Sequence, residues 1–433
     1  MLRALLICVA TIAASSAVAA DEPAVEVHAQ ATYLRQFKPS FHSPYSGQNS
    51  LGAARAASYS FTSTLYIGAN LGSGWEIYLN PEFAQGVPFS QLRGTGGFTN
   101  GELARTSGAE LRGYFARAFA RKTWDLGGGG EDQAAAANQV ATRHAVERIV
   151  LTAGTLSVLD LFDAVDYSRD ARTQFMNWSS LTYGAWDFPA DARGYTKGLA
   201  LEYISPAWSL RAGRFAMPVE SNGLRLDDRL ARRHGDMAEF ELPFKGIARG
   251  GVLRILAFRN QAEMGAFRDA IALAGAPGTA PDLTLVRRLQ SKTGIGVGAQ
   301  LEVTENVGAY ARAAFNDGKT ETFAFTEIDR SLAIGALAKG GAWGRAADSA
   351  GIAMYLNGLR APHRDYLAAG GLGFFLGDGR LNYGGERIVE TFYSLGVAKA
   401  ASLSLGFQRM LNPGYNRDRG PANFLGVRLH AEI

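Results

Sequence analysis

A single cysteine, Cys8, is present in the 433 residues of this chain. That scarcity excludes a disulfide framework and any multi-cysteine metal centre. Long apolar runs are missing too. The run from Ala4 to Ala14 is the longest, and nothing later approaches the ~20 residues of a membrane-spanning helix. Neither sign of charge dominates, with 44 Lys and Arg against 40 Asp and Glu, so no basic face for nucleic acid is expected. The six histidines (His28, His42, His144, His234, His363 and His430) fall in no His-Glu-x-x-His pattern, and no Gly-x-Ser-x-Gly elbow occurs. The glycine run Gly127–Gly130 is followed by no Lys-Ser/Thr pair, so it is a flexible turn and not a phosphate loop. No enzyme activity, metal or cofactor is expected.

The first residues form an address. Arg3 provides a positive start, Leu5 to Ala14 an apolar core, and Ala17 to Ala20 small residues at a cleavage register. Residues 1–20 are therefore expected to be a secretory signal peptide, leaving one cysteine-free domain over residues 21–433.

The rest of the chain shows period-2 alternation with little helical periodicity. Tyr59, Phe61, Leu65 and Ile67 alternate with Ser60, Thr62, Thr64 and Tyr66. After Gly72-Ser73-Gly74, the residues Trp75, Ile77, Leu79 and Phe83 alternate with Glu76, Tyr78, Asn80 and Glu82. Strands are expected near 25–36, 57–71, 74–83, 112–124, 146–156, 195–204, 207–215, 234–243, 250–259, 292–303, 306–316, 330–339, 348–358, 386–397, 401–411 and 422–433. The connections alternate short and long. Residues 125–145 interrupt a short side and are expected to be a flexible periplasmic insertion. The apolar stretch 367–376 is assigned to a loop, because a strand there would break the alternation. Strands near the ~9–11 residues of a tilted spanning strand, about sixteen of them, predict an all-β fold: a transmembrane antiparallel β-barrel with short periplasmic turns and long extracellular loops. A soluble antiparallel sandwich is the alternative that alternation alone leaves open.

If the apolar faces meet lipid, the other faces line the lumen, because charge at the bilayer midplane costs ~2–4 kcal/mol. The inward set then includes Glu76, Glu82, Arg117, Arg121, Arg148, Glu202, Arg211, Glu239, Glu241, Arg254, Arg312, Glu390 and Arg428, interleaved with Tyr66, Tyr78, Phe119, Tyr310 and Phe392. A ring of one charge sign would suit ions. A balanced, aromatic-bearing lumen suits neutral polyols, whose hydroxyls pair with carboxylates and guanidinium groups. Glu82 with Arg117 and Arg121 is expected to form a mixed-charge eyelet. The connection 157–194 holds Asp160, Arg172, Trp178, Trp186 and Asp187 and is apolar enough to fold into the channel or pack on its rim.

Scattered motifs carry a family resemblance. Phe41–Leu51, Tyr78–Glu82, Phe175–Trp178, Gly184–Asp191, Gly194–Thr196 and Asn412–Pro421 together resemble the OprB-type carbohydrate-selective porins of Gram-negative outer membranes. The resemblance implies a sixteen-stranded barrel passing sugars by passive diffusion, with inward-folded loops bearing arginine, glutamate and tryptophan. By motif it points to Glu82, Trp178 and Trp186 at the constriction. The partners it implies are small neutral sugars and outer-membrane lipids, with the chain a monomer or homotrimer. A porin for another small solute or an anionic polysaccharide is the competing function.

Overall fold

The computed structural model describes residues 25–433 apart from 105, 276 and 277; the expected signal peptide lies outside the described residues. The sixteen strands are β1 (Val25–Lys38), β2 (Ala56–Gly72), β3 (Trp75–Val87), β4 (Arg112–Gln133), β5 (Thr142–Leu156), β6 (Thr196–Ile204), β7 (Ser209–Ala216) and β8 (His234–Phe244), followed by β9 (Gly251–Met264), β10 (Arg288–Thr304), β11 (Val307–Asn316), β12 (Arg330–Lys339), β13 (Ser349–Gly358), β14 (Glu386–Ala398), β15 (Ala401–Leu411) and β16 (Ala422–Glu432). Each pairs antiparallel with its sequence neighbours, and β1 pairs with β16 to close the barrel. Closure leaves no edge, so every strand finds two ladder partners. The carboxy-terminal Ile433 takes part: its N–H donates to Ala29 O at 2.9 Å, and the Ala29 N–H donates to Ile433 O at 3.0 Å.

Alternation decides the two faces. Ile77, Leu79, Phe83, Leu199, Leu201, Ile255, Ile352, Val389, Leu405 and Val427 are exposed on the outer wall. An apolar band of this extent belongs in lipid. Trp75, Trp124, Trp208 and Trp343 are exposed beside the short turns, as an interfacial aromatic girdle requires. Among the described residues no helix is long and apolar enough to cross a membrane. The tight β2–β3 turn uses Gly72 and Gly74 at φ 80° and 74°, backbone that costs glycine little.

All sixteen strands coincide with those expected from the sequence, two of them (330–339 and 401–411) residue for residue. The stretch 367–376 forms no barrel strand: its first two residues end the helix Ala361–Ala368 and the rest continues as loop. One expectation is corrected. Residues 125–145 are not a flexible insertion, because the β4–β5 ladder continues through them to the pair Gln133–Thr142.

The long connections pack together over one end of the barrel. There His363, fully buried, sits 3.1 Å from Asp329 and 3.6 Å from Glu327, stacked on Phe267 at 4.3 Å. Burial lowers its pKa, but Asp329 and then Glu327 outweigh that and push it up to about 9. Burial raises the Asp329 carboxyl, yet His363 holds it below its ordinary value. A raised folded-state pKa stabilises fully below the unfolded value of 6.5 and is lost as pH rises to about 9. The protection factors of amides in the helix Ala361–Ala368, corrected for the intrinsic rise of exchange with pH, are therefore expected to fall across that window. In His363→Gln the dependence should be flat; an equally steep one would assign it to another group.

Candidate functional site

Two connections turn into the barrel. The first, 88–111, is held by Glu386 on β14, which accepts from the N–H groups of Gly96 and Gly97 at 3.0 and 2.7 Å. Gln36 and Gln408 donate to Thr99 O, both at 2.8 Å. The second, 157–195, is tethered around much of the wall. Arg312 on β11 pairs with Asp163 at 2.9 Å and donates to Ser180 O and Ser168 O at 2.9 and 2.6 Å. Glu390 accepts from Met176 N–H at 2.6 Å, and Arg428 donates to Ala171 O and Gln174 O at 2.7 and 2.8 Å. Asp187 accepts from the N–H groups of Phe323, Ala324 and Phe325 and from Lys292. Much of the inward charge read from the sequence is thus spent holding the loops. Glu239, Arg312, Glu390 and Arg428 bind loop groups and do not face an open channel.

The loops leave two cavities, one above the other. That on the loop side, about 180 Å³, is lined by Glu82, Glu102, Tyr114, Arg117, Arg172, Trp178, Arg193 and Tyr195, among others. That on the turn side, about 700 Å³, includes Tyr66, Arg117, Arg121, Asp160, Asp170 and Arg172 in its wall. Arg117 and Arg172 line both, so the cavities meet at these two guanidinium groups.

Glu82 is the hub of this junction. Its Oε1 accepts from the hydroxyls of Tyr114 and Tyr195 at 2.6 and 3.1 Å, and its Oε2 from Thr64 at 2.7 Å. Arg172 reaches the same carboxylate at 3.4 Å, while also donating to Glu102 at 3.1 Å and to the Tyr66 hydroxyl at 2.6 Å. Burial alone would lower the Arg172 pKa, but Glu102, Tyr66 and Glu82 raise it well above its ordinary value, so it remains charged. Burial and then Glu82 push the Tyr195 hydroxyl well above its ordinary value, so it remains a donor. Arg117 forms a bidentate pair with Asp160 at 2.7 and 2.6 Å, and its guanidinium lies 5.3 Å from the centre of the Tyr195 ring. Arg193 lies 4.4 Å from the centre of the Tyr114 ring.

Pro81 explains this local geometry. It has no N–H for the ladder, and proline is accommodated at bulges. The β3–β4 register slips there, from Asn80 opposite Arg117 to Pro81 opposite Phe115. The slip switches the inward set on β4 from Arg121, Phe119 and Arg117 to Tyr114, which then stands opposite Glu82.

The structure therefore sets Glu82, Arg117 and Trp178 around the loop-side cavity. Arg121 lies elsewhere. It stands opposite Glu76 and pairs with it at 3.2 Å, six residues along the strand from Glu82, or ~20 Å. Trp178 donates from Nε1 to Asn100 O at 2.8 Å and stacks on Phe325 at 5.5 Å. Trp186 is fully buried in the loop packing, edge-on to Phe162 and Phe188. Sequence reasoning did not select Arg172, Glu102, Asp160, Tyr114 or Tyr195 as site residues. A proline inside a strand was the available signal for Tyr114. Nothing in the sequence distinguishes Arg172 from Arg169 or Arg193. No group of metal-ligating side chains occurs among the described residues.

A family model described as carbohydrate-selective porin, OprB family, matches residues 48–432. No curated protein matches the sequence. Among solved structures, OprB of Pseudomonas putida at high pH is similar over 94% of both chains, with TM-score 0.68 and 15% identity. The outer membrane channel DcaP of Acinetobacter baumannii is similar over 95% of this chain and 97% of its own, with TM-score 0.55 and 8% identity. The two structures share the barrel fold, and the family match covers most of the chain. The chain belongs to the OprB family of carbohydrate-selective porins, channels of the Gram-negative outer membrane.

Proposed function

We propose that this member of the OprB family passes small neutral sugars by unassisted diffusion, and that Glu82, Arg117 and Arg172 with Tyr114, Tyr195 and Trp178 form its selective eyelet. The long loops would face outward and the short turns the periplasm. The observation that carries this reading is the meeting of both cavities at Arg117 and Arg172, so that a solute crossing the barrel passes these groups. The charges are of both signs and largely paired, which leaves no strong preference for either ion. The Glu82 carboxylate is already saturated by donors. It acts by fixing two tyrosine rings and Arg172, while the Arg117 Nη1 and the Arg193 guanidinium make no hydrogen bonds among the described residues. Hydroxyls of a sugar can accept from those guanidinium groups, and the ring faces can pack against its C–H face.

Trp178 narrows the loop-side cavity. Its truncation to Ala is expected to raise single-channel conductance and weaken block of ion current by sugars. A Trp186→Phe control, deep in the loop packing, should leave both near wild type. Unchanged conductance and sugar block in Trp178→Ala would place the indole off the solute path.

A further inference from the structure

The glycine run Gly127–Gly130 and the hairpin around it take no part in the eyelet. β4 has 22 residues, twice the ~9–11 needed to span. The nine residues from Asp125 to Gln133 lie beyond Trp124 of the girdle and at ~3.3 Å each reach ~30 Å. A straight hairpin of that length would project away from the barrel. This one bends. Its register slips between Asp125 and Gly127 and again between Gly127 and Gly130, and Gly127, Gly128 and Gly129 adopt φ of 144°, 85° and 93°. Bulges bend the strand that carries them, and glycine tolerates these angles.

The bend carries the tip to the wall formed by β1, β2 and β3. The Val140 N–H donates to the Tyr78 hydroxyl at 3.2 Å, and the Val140 side chain is buried beside Gly68 and Tyr78. The Ala141 N–H donates to Glu26 at 3.0 Å. Ala136 and Gln139 close the tip with reciprocal backbone bonds of 2.9 and 3.0 Å. At its base, Arg148 pairs with Glu131 at 3.4 Å, and His144 lies 3.6 Å from Glu76. The hairpin is thus fixed at both ends. Between them, Ala135 to Gln139 line the turn-side cavity, whose wall also includes Arg117 and Arg172.

We propose that the β4–β5 hairpin is a strap across the turn-side mouth, forming a second constriction that limits the size of solutes leaving the eyelet. The proposal rests on reading the barrel as a sugar pore. A hairpin serving only as a solvated turn would have no reason to fold inward over the adjoining β1–β3 wall, bury Val140 there and place Asn138 and Gln139 on the cavity.

The test uses two variants of the full barrel. In one, residues 126–147 are replaced by Asn-Gly, which joins Asp125 to Arg148 by a two-residue hairpin turn. In the other, Val140→Asp puts a carboxylate into the apolar seat. Single-channel conductance is recorded with neutral polyethylene glycols of graded size added from either side. Both variants are expected to admit larger polymers from the turn side than wild type does, with the loop-side cut-off unchanged. An unchanged turn-side cut-off in the shortened channel overturns the strap; if that variant does not fold, the same result in Val140→Asp does. The polymers require no sugar transport. Liposomes with wild-type protein that take up no sugar would therefore count against the sugar pore without touching this result.

Discussion

Arg312→Ala is expected to raise single-channel conductance more than any eyelet substitution, with frequent current fluctuations. Arg312 and Asp163 are each 1% exposed at the side chain, and the guanidinium also holds Ser168 and Ser180 of the inward connection. Removing one partner of a buried ion pair costs ~3–5 kcal/mol, because the other charge is left uncompensated. Burial already raises the Asp163 pKa even with Arg312 beside it, so the carboxylate has little tolerance for losing its partner. The barrel ladder does not depend on this pair, so the variant should still show the heat-dependent gel shift of a folded barrel. Replacing both partners together, as Arg312→Met with Asp163→Leu, should bring conductance back toward wild type. Wild-type conductance in folded Arg312→Ala would show that the other tethers hold the loop alone.

Glu82→Gln is expected to move the channel toward anion selectivity. The substitution removes one negative charge from the junction while Arg117 keeps Asp160 and Arg172 keeps Glu102. A unit charge ~6 Å from a passing ion, at an effective dielectric of ~40, contributes roughly 1.4 kcal/mol, or about tenfold in permeability for that ion. Salt screening at ~0.1 M reduces this to severalfold. Sugar flux should change less, since the Gln amide oxygen still accepts from the tyrosine hydroxyls and its NH2 can donate to the Thr64 hydroxyl. Reversal potentials in a salt gradient measure the shift. An unshifted potential in a properly inserted channel would remove Glu82 from the path of the ions and leave it as a wall support.

The strands were legible because a single physical rule writes them. A residue on a barrel strand faces either lipid or the interior, so the period-2 pattern of Tyr59 to Ile67 or Trp75 to Phe83 records the fold directly. Closure by β1 and β16 follows from the even count and from alternation that runs to Ile433. The inward set was legible for the same reason, and it correctly collected Glu82, Arg117, Arg312, Glu390 and Arg428.

What each inward group does was decided by tertiary structure alone. Arg117, Arg312 and Arg428 look alike in the sequence and all three hold the inward connection, yet of the three Arg117 alone lines the cavities, because the connections that fold in cover the other two. Arg121 and Arg117 share a face, but register sets Arg121 opposite Glu76, and the bulge at Pro81 brings Tyr114 to Glu82. Arg172 and Tyr195 reach Glu82 across 90 and 113 residues of chain. Alternation is a local consequence of which solvent each side chain meets, so the sequence determines it. Pairing of charges across the lumen depends on where long connections land, and no local pattern encodes that.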